Sequence, residues 1–166
     1  MSTYRRQTRV DAPLSEVWAF HSRVSGLEAL TPSFMNLRVE GVTGPDGDPD
    51  PAVLEAGSRI DMSMRPFEVG PRQTWTSVIT ERREGDGTAM FRDRMEGGPF
   101  PEWVHTHRFF ADGEETLVVD TVEYRLPGGP VGEALGPLGW VGFEPMFRYR
   151  HRRTRERLED GAAPTG

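Results

Sequence analysis

A chain of 166 residues is about one domain long and can bury a core of its own, and without cysteine it can use neither disulfides nor thiolate metal sites. The formal net charge of -6 argues against a nucleic-acid binder, whose affinity would come from basic contacts to phosphate. No stretch approaches the roughly 20 apolar residues of a membrane span, and the opening MSTYRRQTRV lacks the apolar run of a signal peptide, so a soluble, cytoplasmic protein is expected.

Thr3 to Val10 alternates and reads as a first strand. Pro13 suits an early helical position, and Val17, Trp18 and Phe20 supply an apolar face, which predicts a short helix over 15–22. Ser25 caps a second helix that runs to Leu30 and stops at Pro32. Strands are then expected at 37–42, 58–65, 72–83, 88–96, 103–111 and 116–126. Between the first two lies the proline-rich Gly44-Pro-Asp-Gly-Asp-Pro-Asp-Pro loop, and the later separators include Gly85-Asp-Gly, Gly97-Gly-Pro and Asp112-Gly. Short connections between long strands mean antiparallel hairpins. Leu126-Pro-Gly-Gly-Pro closes the sheet.

Beyond it, Trp140, Phe143, Phe147, Thr154 and Leu158 fall at helical spacings, with the regular helix expected from about Glu144 because of Pro145. The run Arg148 to Arg157, rich in arginine, reads as that helix's solvated face. A single domain over 1–160 with a disordered tail at 161–166 is expected. The fold class is α+β: a helix-grip arrangement in which a curved antiparallel sheet of about seven strands wraps a long C-terminal helix.

Sorting strand faces by period two places Ile60, Met62 and Met64 inward, and likewise Ala89, Phe91, Asp93 and Met95. Trp103, His105, His107 and Phe109 form the third inward set, and Val118, Asp120, Val122 and Tyr124 the fourth. Asp93, His105, His107 and Asp120 thus share a concave face on three adjacent strands. Buried ionisable groups must pair, hydrogen-bond or change protonation. The cluster can fix strand register, anchor the polar group of a bound molecule, or move protons as His-Asp pairs do. His105-x-His107 with Asp93 or Asp120 is the weakest of the options as a metal site, since a lone His-x-His is common and no third histidine is near in sequence; no metal or other cofactor is expected. Met62, Met64, Met90, Met95 and Met146 fit either a plain core or an adaptable pocket.

The opening Arg9-Val-Asp-Ala-Pro-Leu-Ser-Glu-Val-Trp-Ala-Phe resembles the first strand and helix of the START/Bet v 1-like superfamily, also called SRPBCC or polyketide cyclase/dehydrase-like. Phe91-Arg-Asp, Gly98-Pro-Phe-Pro-Glu-Trp-Val-His-Thr-His-Arg-Phe, Asp120-Thr-Val-Glu-Tyr-Arg-Leu-Pro-Gly-Gly and Met146-Phe-Arg-Tyr-Arg resemble the branch found ahead of epimerase-like domains labelled as cell-division inhibitors. The resemblance implies binding of an apolar small molecule in an internal cavity, because members bind lipids, sterols, polyketides or plant hormones, while a minority catalyse cyclisation or dehydration. The expected walls are Met62, Met64, Trp75, Phe91, Trp103, Phe109, Phe143 and Phe147. Asp93, His105, His107, Asp120 and Tyr124 are the polar positions, and the first four are also the candidates for catalysis if the protein is an enzyme. The alternatives are a cyclase or dehydratase using a His-Asp pair and a protein-interaction module. The partner expected is a hydrophobic ligand, with no nucleic acid and no membrane span, in a monomer or homodimer.

Overall fold

The structure, a computed structural model, describes residues 1–159; the expected tail at 161–166 lies outside the described residues. Seven strands form one antiparallel sheet: β1 (Ser2–Val10), β2 (Arg38–Thr43), β3 (Arg59–Met64), β4 (Gln73–Gly85), β5 (Thr88–Glu96), β6 (Glu102–Asp112) and β7 (Glu115–Arg125). Their order is β1-β7-β6-β5-β4-β3-β2, so six consecutive strands make a meander and β1 closes against the last of them. The helix-grip α+β architecture is therefore the one the sequence predicts.

Hairpin chemistry sets the meander. Gly113 adopts a φ of 64° between Asp112 and Glu115, which pair across the β6–β7 turn. A side chain strains there, and glycine is free to adopt that backbone. Register slips between Val39 and Gly41 and between Ile79 and Glu81 are bulges, and such insertions bend a strand and increase its twist.

Helices α1 (Leu14–His21) and α2 (Val24–Ala29) fall where expected, within a residue or two, but Arg23 and not Ser25 is the N-cap of α2, with Ser25 inside the helix and no side chain capping it. The C-terminal region differs from expectation in two ways. A short helix α3 (Gly129–Leu135) and a 3-10 turn (Gly136–Gly139) fill the segment after the sheet, where only a closing loop was predicted. Helix α4 then runs over Trp140–Glu159 and carries Pro145 inside it, so it begins a full turn before the position the proline suggested. Pro145 withholds one N–H from the carbonyl of Val141, and that residue is exposed, so water can serve its carbonyl. Trp140, expected on the apolar stripe, is exposed as well.

The interior is divided among three apolar clusters. Trp18 of α1 meets Phe109 and Val118 at one end. Phe143 and Phe147 of α4 meet Tyr4, Val122 and Tyr124 at the other. Ile60, Met62, Ile79 and Leu54 form the third, under β3 and β4. Phe91 packs on the first and the third. Between the clusters a space remains under α4 that core side chains do not fill.

Candidate functional site

The gap between them is a hollow of about 390 Å³. Every expected wall residue except Phe109 lines it: Met62, Met64, Trp75, Phe91, Trp103, Phe143 and Phe147. Phe109 is fully buried behind the wall, edge-on to Trp18 at 5.5 Å between ring centroids. Of the polar positions, Asp93, His105 and His107 reach the hollow, whereas Asp120 and Tyr124 lie behind it. Tyr124 instead donates its hydroxyl to the carbonyl of Gly136 at 2.6 Å, tying the turn before α4 to the sheet. Among the methionines, Met35, Met62, Met64, Met95 and Met146 line the hollow and Met90 does not.

The lining also includes groups that strand periodicity does not reveal. Leu27 and Leu30 come from α2 and its end, Phe34 and Met35 from the turn after it, and Phe100 from the β5–β6 connection. These lie in short helices and loops, which carry no period long enough to read.

Behind the wall the ionisable residues form one connected network. Asp120 is the hub, only 3% exposed. Its Oδ1 accepts from His105 Nε2 at 2.8 Å and lies 3.1 Å from His107 Nδ1, and its Oδ2 accepts from His151 Nε2 at 2.5 Å. On the other side of His107, Nε2 faces Asp93 Oδ2 at 3.2 Å, and Ser77 donates its hydroxyl to Asp93 Oδ1 at 3.1 Å. The register explains the convergence: His107 pairs with Asp120 on β7, and Asp93 with His105 on β6. Phe91 stacks on the His107 ring at 3.9 Å, and the rings of His105 and His107 lie 3.6 Å apart.

Each ring nitrogen of His107 faces a carboxylate, and only an imidazolium donates from both. Burial opposes that charge, but the hydrogen bonds to Asp120 and Asp93 outweigh it, so the His107 pKa is raised. Burial alone would push both aspartates up; their histidine partners instead hold Asp93 below and Asp120 well below the usual carboxylate value. His105 behaves oppositely. Burial, reinforced by the neighbouring His107, brings its pKa down to about 4 despite the Asp120 hydrogen bond. His21, also on the lining, is depressed to about 3, chiefly by burial. At neutral pH Asp93 and Asp120 are therefore carboxylates and His105 is neutral, while His107 is biased toward the imidazolium.

His151 enters this network from α4, in the segment read from sequence as solvated; it is 3% exposed. That reading is corrected for His151, Thr154 and Arg150, the first two buried and the third on the lining. A signal for it was present, because Phe147 and Thr154 are seven residues apart and His151 sits four after one and three before the other. Asp93, His105 and His107 bring one ligand atom each within 4.8 Å of one another, and a cation held there would displace the His107–Asp93 hydrogen bond. Among the described residues, no helix is long and apolar enough to cross a membrane.

Residues 10–147 match the family described as "Polyketide cyclase / dehydrase and lipid transport". The chain belongs to that family. No curated protein matches it at a significant level. Solved structures of the same fold include a Thermus thermophilus protein, 21% identical, with a TM-score of 0.66 over 98% of this chain and 100% of the other. The Zhui aromatase/cyclase from Streptomyces is 16% identical, with a TM-score of 0.65 over 99% and 98% of the two chains. Norcoclaurine synthase from Thalictrum flavum, solved with dopamine and hydroxybenzaldehyde, is 16% identical, with a TM-score of 0.64 over 98% and 88%. At such identities the likeness describes the fold, and the family membership rests on the sequence match.

Proposed function

We propose that this member of the family binds a largely apolar small molecule between the sheet and α4, with Asp93, His105 and His107 as its polar wall. The observation that carries the reading is the hollow itself: about 390 Å³, bounded mostly by aromatic, methionine and leucine side chains and touched by few polar groups. That combination of apolar walls with a few convergent polar atoms is what small-molecule sites share. The reading fits the lipid-transport part of the family description.

The test uses a neutral fluorescent probe, N-phenyl-1-naphthylamine. It should bind the wild-type protein stoichiometrically and saturably, and Met62→Arg, which places a charge in the apolar wall, should weaken binding at least tenfold while the protein still melts cooperatively. Absence of saturable binding, together with no co-purifying molecule in native mass spectrometry, would sink the reading.

A second reading is favoured by one feature. His107, biased toward its protonated form by two facing carboxylates, lies on the wall of the hollow, and a positioned acid of this kind promotes cyclisation or dehydration of a bound carbonyl compound. The aromatase/cyclase and synthase among the structural neighbours are compatible with such chemistry. His107→Gln and His105→Gln should then abolish turnover of a polyketide-type substrate while leaving probe binding intact. Unchanged turnover would remove catalysis by these residues.

A further inference from the structure

Arg150 stands apart from the other arginines of α4. Arg148, Arg152 and Arg153 make ion pairs along the helix surface with Glu144 or Glu156. Arg150 instead turns to the hollow and lines it, its guanidinium carbon 5.9 Å from the centroid of the Phe147 ring. Among the described residues no carboxylate lies within ion-pairing distance of it and its guanidinium makes no hydrogen bond, the Thr154 hydroxyl reaching only its backbone carbonyl. A guanidinium presents five donors in a rigid fork, and half-buried Arg150 has no protein acceptor for them among the described residues. Burial accordingly draws the Arg150 pKa down, with only the fields of Asp120 and Asp93 acting against it.

Neither aspartate supplies an acceptor, since among the described residues no carboxylate pairs with Arg150, and Asp120 already receives three histidines and Asp93 receives His107 and Ser77. A second arginine, Arg23, lies on the same lining, exposed and without an ion pair among the described residues. The hollow thus has apolar walls and a cationic fork at α4, with a further cation on α2's flank.

Resting on the ligand-binding reading, we propose that the bound molecule is an amphipathic carboxylate whose acid group is clamped by the Arg150 fork while its apolar body lies against the methionine and aromatic walls. Arg–carboxylate pairing is bidentate and stronger than a neutral hydrogen bond, which makes the acid the best match for unpaired guanidinium donors. The surroundings favour a monoanion. The buried carboxylates Asp93 and Asp120 lie beside the lining, so a phosphate monoester, carrying nearly two charges, meets more repulsion than a carboxylate does.

The test compares matched pairs by calorimetry: dodecanoate against dodecanol, and 2-naphthylacetate against 2-naphthylethanol, with dodecyl phosphate as a third head group. In wild-type protein the acid of at least one pair should bind about tenfold or more tightly than its alcohol. Arg150→Met should remove that preference while leaving alcohol binding within about twofold, and Arg150→Lys should restore part of it, which separates a lost clamp from a damaged fold. Equal binding of acid and alcohol, an undiminished preference in Arg150→Met, or tighter binding of dodecyl phosphate than of dodecanoate overturns the proposal. If the neutral naphthylamine probe still binds, the failure belongs to the acid clamp alone; if no compound binds, the ligand-binding reading falls with it.

Discussion

Asp120→Asn puts the buried network under direct strain. The carboxylate is 3% exposed and receives His105, His107 and His151 at 2.8, 3.1 and 2.5 Å. An asparagine keeps one acceptor oxygen but turns an amide N–H₂ toward a ring nitrogen that had been donating, and leaves the His107 imidazolium with one carboxylate instead of two. Breaking a buried charge pair by removing one partner costs about 3–5 kcal/mol. Set against a typical total of about 5–15 kcal/mol, that is a large fraction of the stability. With a urea m-value of about 2 kcal/mol/M, the unfolding midpoint should fall by roughly 1.5–2.5 M at pH 7. Histidine NMR gives an independent readout: the raised pKa of His107 should drop in the variant, and its ring should pass from doubly protonated to neutral at a lower pH than in wild type. A midpoint shift below about 0.5 M, or an unaltered His107 titration, refutes the hub role of Asp120.

Three further outcomes are expected. Stability should peak near pH 6.5: the folded pKa of His105 lies at about 4 against 6.5 unfolded, so its contribution is full above 6.5 and is lost as pH falls toward 4, at about 1.4 kcal/mol per unit. The raised pKa of His107 acts in the other direction, its contribution being full below 6.5 and lost as pH rises through the folded value; urea melts of wild type and His105→Gln across pH 4–8 should show the acid limb flattened in the variant. Gly139→Ala would set a methyl 2.5–2.7 Å from the hydroxyl and ring of buried Tyr124, costing about 1–3 kcal/mol and lowering Tm by roughly 2–4 °C for each, and an unchanged Tm by calorimetry contradicts that packing. Phe147→Ala, at a position 1% exposed, should destabilise by about 3–5 kcal/mol in urea, and a loss under 1 kcal/mol would mean that α4 is not held by this ring.

The strands and their inward faces were legible because alternation is a property of the local chain. Ile60, Met62 and Met64 alternate with charged and polar residues, and period two alone points them inward. Asp93, His105, His107 and Asp120 could be grouped for the same reason, once antiparallel hairpins made their strands neighbours. Three-dimensional closure was not legible. Whether Asp120 faces the hollow or lies under His105 and His107 depends on the depth of the sheet's curvature, which the bulges near Gly41 and Glu81 help to set. His151 and Arg150 were obscured by composition, since a run of arginines on a helix looks solvated until a sheet is packed against it. Pro145 misled in the opposite sense, its penalty softened where the first turn of α4 borders water.

The pairing of β1 with β7 also shapes how the chain is made. Every other strand finds a partner next to it in sequence, but Ser2 must wait for Tyr124 and Val10 for Thr116. At roughly 5–20 residues per second, a ribosome leaves the first strand without its mate for on the order of ten seconds. During that interval Tyr4 and Val10, both core residues, have no sheet to join. Three of the intervening residues with polar side chains, Arg5, Arg6 and Arg9, put positive charge along the nascent strand, which keeps an open edge from pairing with a stranger.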